Sequence, residues 1–313
     1  MSAIRRRGAA RPAGSRRGPT PRHYDIGIIG AGRVGAVLGA AFAAAGHRVV
    51  AASGVSAASL ARIEDLLPGA AVRPADRVAA AASLVVVAVP DDALAGIVRG
   101  LAETGVLHPG QIVAHTSGAH GTAVLEPAVR AGALPLALHP AMTFTGTAAD
   151  LERLAAGVSF GVTAPPDLHP VAARLVADLG GTVEWIPEEK RALYHAALAH
   201  GANHLVTLVN EALDRLRDAG VRHPERVLDP LLHAALDNAL RLGDAALTGP
   251  VSRGDAGTVA KHLAVLESTA PASVPPYLAL ARRTADRAIA AGRLRPMDAG
   301  PLLDVLSTPV VPR

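Results

Sequence analysis

Apolar and polar positions along the chain change rhythm near its middle. Residues 24–30, YDIGIIG, make a short β-branched run ending at glycine, as a buried strand does. RVGAVLGAAFAAAG follows with helical composition and stops at Gly46, a residue suited to the position just past a helix. HRVVAAS reads as a second strand. LVVVAVPDDAL (84–94) is almost continuously apolar, as a strand buried on both faces should be, and Pro90-Asp91-Asp92 stops it. QIVAHTSG (111–118), ALPLALHP (133–140) and GVSFGVTA (157–164) are further strands, PPDLHPVAARLVADLGG a helix, and TVEWIP a short closing strand. This alternation predicts an α/β domain over residues 23–187, built on a parallel sheet with right-handed crossovers.

After residue 187 the strands disappear. EEKRALYHAALAHGANHLVTLVNEALDRLRDAG keeps helical composition over 188–220, long for a globular helix. HPERVLDPLLHAALDNALRLGD is a second helical region, the polar loop TGPVSRGD (248–255) interrupts, and two more helical segments follow. An all-α domain is therefore expected over 188–296, with 297–313 as a C-terminal tail.

GAGRVG (30–35) lies between the first strand and the first helix, the setting a dinucleotide-binding turn requires. There Gly30 would make the tight turn, Gly32 would let backbone approach a pyrophosphate, and Gly35 would let helix and strand pack. The helix N-terminus would carry the phosphate charge. An NAD enzyme places an acid at the end of the second strand, to bond the ribose hydroxyls. Here the stretch 49–61 has no acid, Ser53 and Ser56 can donate hydrogen bonds, and Arg33 supplies positive charge. This favours NADP(H) over NAD(H). In parallel sheets ligands sit at the carboxyl ends of the strands. Those ends add Val89, Pro90, Asp91 and Thr116 to a cofactor set that already holds Gly30, Gly32, Arg33, Val34, Gly35 and Ser53.

Composition and charge narrow the field. Aromatic residues make up 2% of the chain, so Ala, Val and Leu must build the core. There are no cysteines, which excludes disulfides and thiolate chemistry. The net charge is +4, but seven arginines stand in residues 1–22 without an acid, leaving about −3 (4 − 7) for the remainder. That segment reads as a disordered basic tail, either a solvated extension or an arm for an anionic partner. No apolar core of a secretory signal follows it, and no apolar stretch is long enough to cross a membrane. A cytoplasmic protein, with neither membrane nor nucleic acid as partner, is the expectation.

Candidate chemistry lies at the later strand ends and on the long helix. His139 and Ser117 end strands. At 100° per residue, His195 and Asn203 fall about 80° apart on one side of an ideal helix, above alanines. The polar loop contributes Arg253, which could pair with a carboxylate, while Asp255 and Thr258 could cap a helix or hold a ligand. His195, His200 and His204 have metal-like spacing but no accompanying carboxylate, so no metal is expected.

HTSGAHG, LHPAMTF, KRALYHAALAHGANHL and TGPVSRGDAGTVAKHL, in this order behind a glycine-turn domain, resemble one family of the 6-phosphogluconate dehydrogenase-like superfamily. Its members join a Rossmann-like domain to a C-terminal domain of unknown function and are labelled NADP-dependent oxidoreductases. By similarity to β-hydroxyacid dehydrogenases, Ser117-Gly118 is expected to bind substrate. The acid/base pair of those enzymes does not map cleanly, because Ala199 stands where their asparagine would and Asn203 comes four residues later. By similarity to pyrroline-5-carboxylate reductases, TGPVSRGDAGT is expected to complete a substrate site, and a homodimer through the helical domain is implied. The expected function is hydride transfer between NADP(H) and a small polar C=O or C=N compound, a 2-oxo acid being one candidate. His195 or His139 would handle the proton, with Asn203 and Ser117 as orienters. The alternatives are an NADP-binding sensor or scaffold without turnover, and a nucleic-acid-associated protein acting through its tail.

Overall fold

A computed structural model of the chain describes residues 23–307, so the basic tail 1–22 and residues 308–313 lie outside the described residues. The chain divides into two compact units between Ala199 and His200.

The first unit is built on eight strands: β1 Asp25–Ile29, β2 Arg48–Ser53, β3 Ala71–Val72, β4 Leu84–Val87, β5 Ile112–His115, β6 Leu134–Pro140, β7 Ser159–Thr163 and β8 Thr182–Trp185. Their order is β3-β2-β1-β4-β5-β6-β7-β8. Both faces of the sheet are covered. In β4, Leu84 and Val86 join one core with Ile28, Leu38 and Phe42, while Val85 and Val87 join the other with Leu94 and Val98. This is why LVVV shows no polar alternation. The helix Arg33–Ala44 crosses the sheet closely because Gly39 offers no side chain. A Cβ there would stand 3.1 Å from Ile28.

The strand stopped by Pro90-Asp91-Asp92 runs from Leu84 to Val87, and the helix Asp91–Glu103 begins after Pro90. Three expectations are corrected. The sheet is not wholly parallel, since β6 and β7 pair antiparallel with His139 opposite Gly161. Between them stands only the seven-residue helix Ala149–Ala155, roughly 10 Å long. Residues 141–158 connect the two strands, and β7 runs back along β6. The long helix over 188–220 is not continuous: Arg191–Leu198 is α-helical, Ala199–Asn203 forms a π-helical turn, and His204–Asp218 resumes α. Gly201, a weak helix former, lies inside that turn. Finally, 297–313 is not merely a tail. Gly300–Leu306 is a helix whose Leu302 and Leu306, four residues apart on one face, are fully buried.

The second unit is helical, with Pro224–Leu242, Ala256–Thr269 and Val274–Ala290 as its longer members after His204–Asp218. Its core gathers Val259, Leu263, Leu278, Ala285, Leu302 and Leu306. The helix Pro224–Leu242 is scarcely part of that core: only Pro224 and Leu228 are buried, whereas Leu231, Leu236 and Leu240 are exposed. Among the described residues no helix is long and apolar enough to cross a membrane.

Candidate functional site

The glycine turn follows β1 and faces β4, where the strand order reverses. Gly30 has φ +87°, and a Cβ on it would stand 2.6 Å from the Ala88 carbonyl oxygen, so only glycine fits. A Cβ on Gly35 would collide with the Gly30 carbonyl oxygen. Gly32 differs from both, because nothing lies within 4 Å of its Cβ position. It caps the helix Arg33–Ala44 without a side chain, so the N–H groups of the first turn, at Arg33, Val34 and Gly35, are left for an anion from outside. Val89 packs against Gly30, Pro90 caps the next helix, and Asp91 is exposed at its start. Thr116 hangs from β4 through its N–H to the Val87 carbonyl.

The serines beyond β2 are partly committed. Ser53 Oγ accepts the Gly30 N–H at 3.2 Å, which ties the turn to β2 and leaves one hydroxyl hydrogen to donate. Ser56 closes a capping box with Ser59 on the helix Ala57–Leu66. A second arginine stands beside Arg33. A Cβ on Gly146 would lie 2.6 Å from Arg62 Nε and 2.8 Å from Arg33 Cγ, so both side chains converge on that loop. The loop is pinned by buried Asp150, which accepts the Thr145 and Gly146 N–H groups, each at 2.7 Å. Burial works against the charge of Asp150, yet those amides hold its carboxyl below the ordinary range. Arg62 stands nine residues past Ser53 on an amphipathic helix, where a basic residue reads as solvated.

At the ends of β5 and β6 stand two buried histidines. His115 is fully buried, its Nε2–H donates to the Gly121 carbonyl at 2.7 Å, and its Nδ1 accepts the Ser117 N–H at 3.2 Å. Burial pulls its pKa down to about 4. Ser117 Oγ accepts the N–H groups of Ala119 and His120, so it first shapes the turn. Gly118 lies between two imidazoles: a Cβ there would meet His195 Cδ2 at 2.8 Å and His139 Nε2 at 3.0 Å. The His139 and His195 rings stand edge-on, with centroids 6.4 Å apart. His139 Nδ1 is 2.9 Å from the Tyr194 hydroxyl. Burial, followed by the nearby charges of Arg191 and His195, lowers the His139 pKa to about 4. His139 is thus neutral at neutral pH, and any proton it gives must come from the neutral ring.

The remaining candidates lie in the second unit. Asn203 closes the π turn and is exposed. The 80° relation to His195 fails, because a π turn breaks the α-helical phase that it assumed. Asp255 and Thr258 are bonded to each other: Oδ1 accepts the Thr258 N–H at 3.0 Å and Oδ2 its hydroxyl at 2.7 Å. Asp255 is an N-cap, and those two bonds hold its carboxyl below the usual range. Arg253 is exposed without an ion-pair partner among the described residues. No group of three His, Cys, Asp or Glu side chains among the described residues could hold a metal.

Comparison with known proteins follows the same division. Residues 12–140 match the family of Rossmann-like domains, and residues 158–284 match a domain of unknown function, DUF2520. No curated protein matches the sequence. Among solved structures, a Bacteroides fragilis protein provisionally assigned as an NADP oxidoreductase is 22% identical with a TM-score of 0.70, covering 85% of this chain and 99% of its own. An imine reductase from Myxococcus stipitatus in complex with NADP+ is 18% identical with a TM-score of 0.59, covering 86% and 95%. The pyrroline carboxylate reductase of Plasmodium falciparum with NADP bound is 12% identical with a TM-score of 0.55, covering 89% and 98%. These structures share the fold, and the two sequence matches make the chain a Rossmann-like domain followed by a DUF2520 domain.

Proposed function

We propose that the protein is an oxidoreductase that uses NADP(H) to move a hydride to or from a small polar C=O or C=N substrate. One observation carries this reading. The N-terminus of the helix Arg33–Ala44 opens through Gly32 onto free space at the point where the strand order reverses. Neighbouring strands are about 4.8 Å apart, so the ends of β5 and β6 stand roughly 10 and 14 Å along the edge from the glycine turn. That span suits the distance from a pyrophosphate to a nicotinamide ring. Arg33, Arg62 and the free hydroxyl hydrogen of Ser53 suit a 2′-phosphate, and no acid stands there to repel it. The NADP in two of the similar structures supports the same choice.

When bound, the reduced nicotinamide supplies the hydride. The chain's own residues would hold the substrate and manage the proton. Gly118 lets the backbone approach both His139 and His195, and Ser117 fixes that turn. His195 remains a candidate for proton handling and Asn203 for orientation. An unpaired Arg253 beside the Asp255-capped helix favours a carboxylate, and hence a 2-oxo acid or an imino acid. The exposed leucines of Pro224–Leu242 support a homodimer through the helical unit.

Fluorescence titration of NADPH and NADH tests the reading. The expected result is NADPH binding at least about tenfold tighter, some 1.4 kcal/mol. Ser53→Asp should remove that preference, and Gly32→Asp should remove binding of both. If neither nucleotide binds at millimolar concentration, the reading is wrong.

A further inference from the structure

Arg191 carries a charge without a counter-charge. It opens the helix Arg191–Leu198 and is 1% exposed. Its Nε donates to Thr163 Oγ1 at 2.7 Å, and its Nη2 donates to the carbonyls of Gly161 and Ala137 at 3.1 and 3.3 Å. Its Nη1 is buried with no hydrogen-bond partner. No carboxylate pairs with it among the described residues; the fields of Tyr194 and then Glu188 act on it without an ion pair. Burying an uncompensated guanidinium is costly, and burial lowers its pKa to about 10. Such an arrangement stabilises an anion that forms only transiently.

The group able to become that anion is Tyr194, three residues along the same helix. The Arg191 Cζ lies 5.8 Å from the centre of the Tyr194 ring. The phenol rests on Gly161, where a Cβ would stand 2.5 Å from Oη, so any side chain there would displace it. Burial raises the Tyr194 pKa, and the nearby charge of Arg191 works against that rise. The Tyr194 hydroxyl stands 2.9 Å from His139 Nδ1, within reach to donate to it. A phenol donating there leaves the hydrogen of neutral His139 on Nε2, the nitrogen that faces Gly118.

We propose that Tyr194 supplies the proton of the reaction through the His139 ring, and that Arg191 is the buried counter-charge for the tyrosinate left behind. This rests on the hydride-transfer reading, with a reduced nicotinamide dinucleotide as reductant. In the reductive direction the hydride and its electron pair bond to the substrate carbon, and the C=O or C=N π pair moves to oxygen or nitrogen. That atom takes the proton from His139 Nε2. Nδ1 in turn takes the proton of Tyr194, whose O–H bond breaks and whose oxygen keeps the pair. Afterwards water gives a proton to Nε2, and Nδ1 returns its own to the Tyr194 oxygen, which restores both the phenol and the starting tautomer. The imidazole is neutral before and after, so its low pKa is no obstacle. The charged and titratable groups bearing on His139 are Arg191, His195, Asp91 and His115. Tyr194 acts only through His139.

Nitrogen-15 NMR of the full chain without ligand tests this, with a His139→Gln spectrum to assign the signals. The expected spectrum at neutral pH shows His139 in one neutral tautomer, protonated on Nε2. Tyr194→Phe should replace it with a mixture. Arg191→Gln should raise the pH at which Tyr194 ionises, read by ultraviolet titration against Tyr194→Phe. A hydrogen on Nδ1 in the unmodified protein overturns the proposal, as does a tautomer that Tyr194→Phe leaves unchanged. If Tyr194→Phe does not fold, the unmodified spectrum decides alone. NADPH titration of the same sample separates the two levels. Failure to bind NADPH with the expected tautomer present removes the oxidoreductase reading and leaves the hydrogen-bonded line standing. NADPH binding with the wrong tautomer removes only the line.

Discussion

His115 and His139 end neighbouring strands of one sheet, and burial holds the pKa of each at about 4. Their remaining bonds differ. His115 spends both ring nitrogens on backbone groups of the turn that follows it, the Gly121 carbonyl and the Ser117 N–H. His139 spends one nitrogen on Tyr194 and presents the other beside Gly118. The same shift therefore marks a group with both nitrogens spent on its turn at one strand end and a group with one nitrogen left over at the next. A perturbed pKa locates a site only when an unspent atom accompanies it.

Removing each ring should separate the two roles most sharply. His139→Gln is expected to cut NADPH oxidation by about 10²–10⁴-fold, as loss of a general acid does, with NADPH affinity unchanged. Equal losses in turnover and affinity would contradict that role. His115→Ala should instead destabilise the fold by about 2–4 kcal/mol in urea denaturation, because it strands the Gly121 carbonyl and the Ser117 N–H and leaves a cavity.

Acid should expose the cost of keeping His115 neutral. Its unfolded pKa is 6.5 and its folded pKa about 4, so between these values the unfolded chain binds a proton that the folded chain refuses. Its contribution to stability is complete above about pH 6.5, falls as pH drops, and levels off below about 4, a loss of about 3 kcal/mol. His139 adds a similar slope, so His115→Asn should reduce the acid loss across the window by about half. The smallest effect is expected at Gly118→Ala. Its Cβ would press on both His139 and His195, lowering turnover by about tenfold while stability changes by less than about 1 kcal/mol. Unchanged turnover would mean that the placing of the two rings about Gly118 does not matter to the reaction.

Much of the first unit was legible in the sequence, because its signals are local. Gly30 must be glycine for its φ, and the unbroken run LVVV must be buried on both faces. The reversal of β7 was not legible, since nothing in GVSFGVTA distinguishes an antiparallel strand from a parallel one. Arg191 was hidden for a related reason. In EEKRALYH it looks solvated, and its burial arises only when β6 and β7 pair and offer it their carbonyls. Tyr194 meets His139 across 55 residues of chain, a contact that no local pattern announces. The helix Gly300–Leu306 was overlooked because two leucines four apart form only one turn of pattern, although both are buried.

The central claim is that the open glycine turn and the Gly118–His139 corner belong to one cofactor site. A crystal structure of the protein with NADPH tests it most directly. The account expects the pyrophosphate on the first turn of the helix Arg33–Ala44, the 2′-phosphate against Arg33 and Arg62, and the nicotinamide C4 facing Gly118 with room for a substrate about 3.5 Å away. A nicotinamide directed away from Gly118 and His139, or a pyrophosphate bound anywhere but at Gly32, would contradict it.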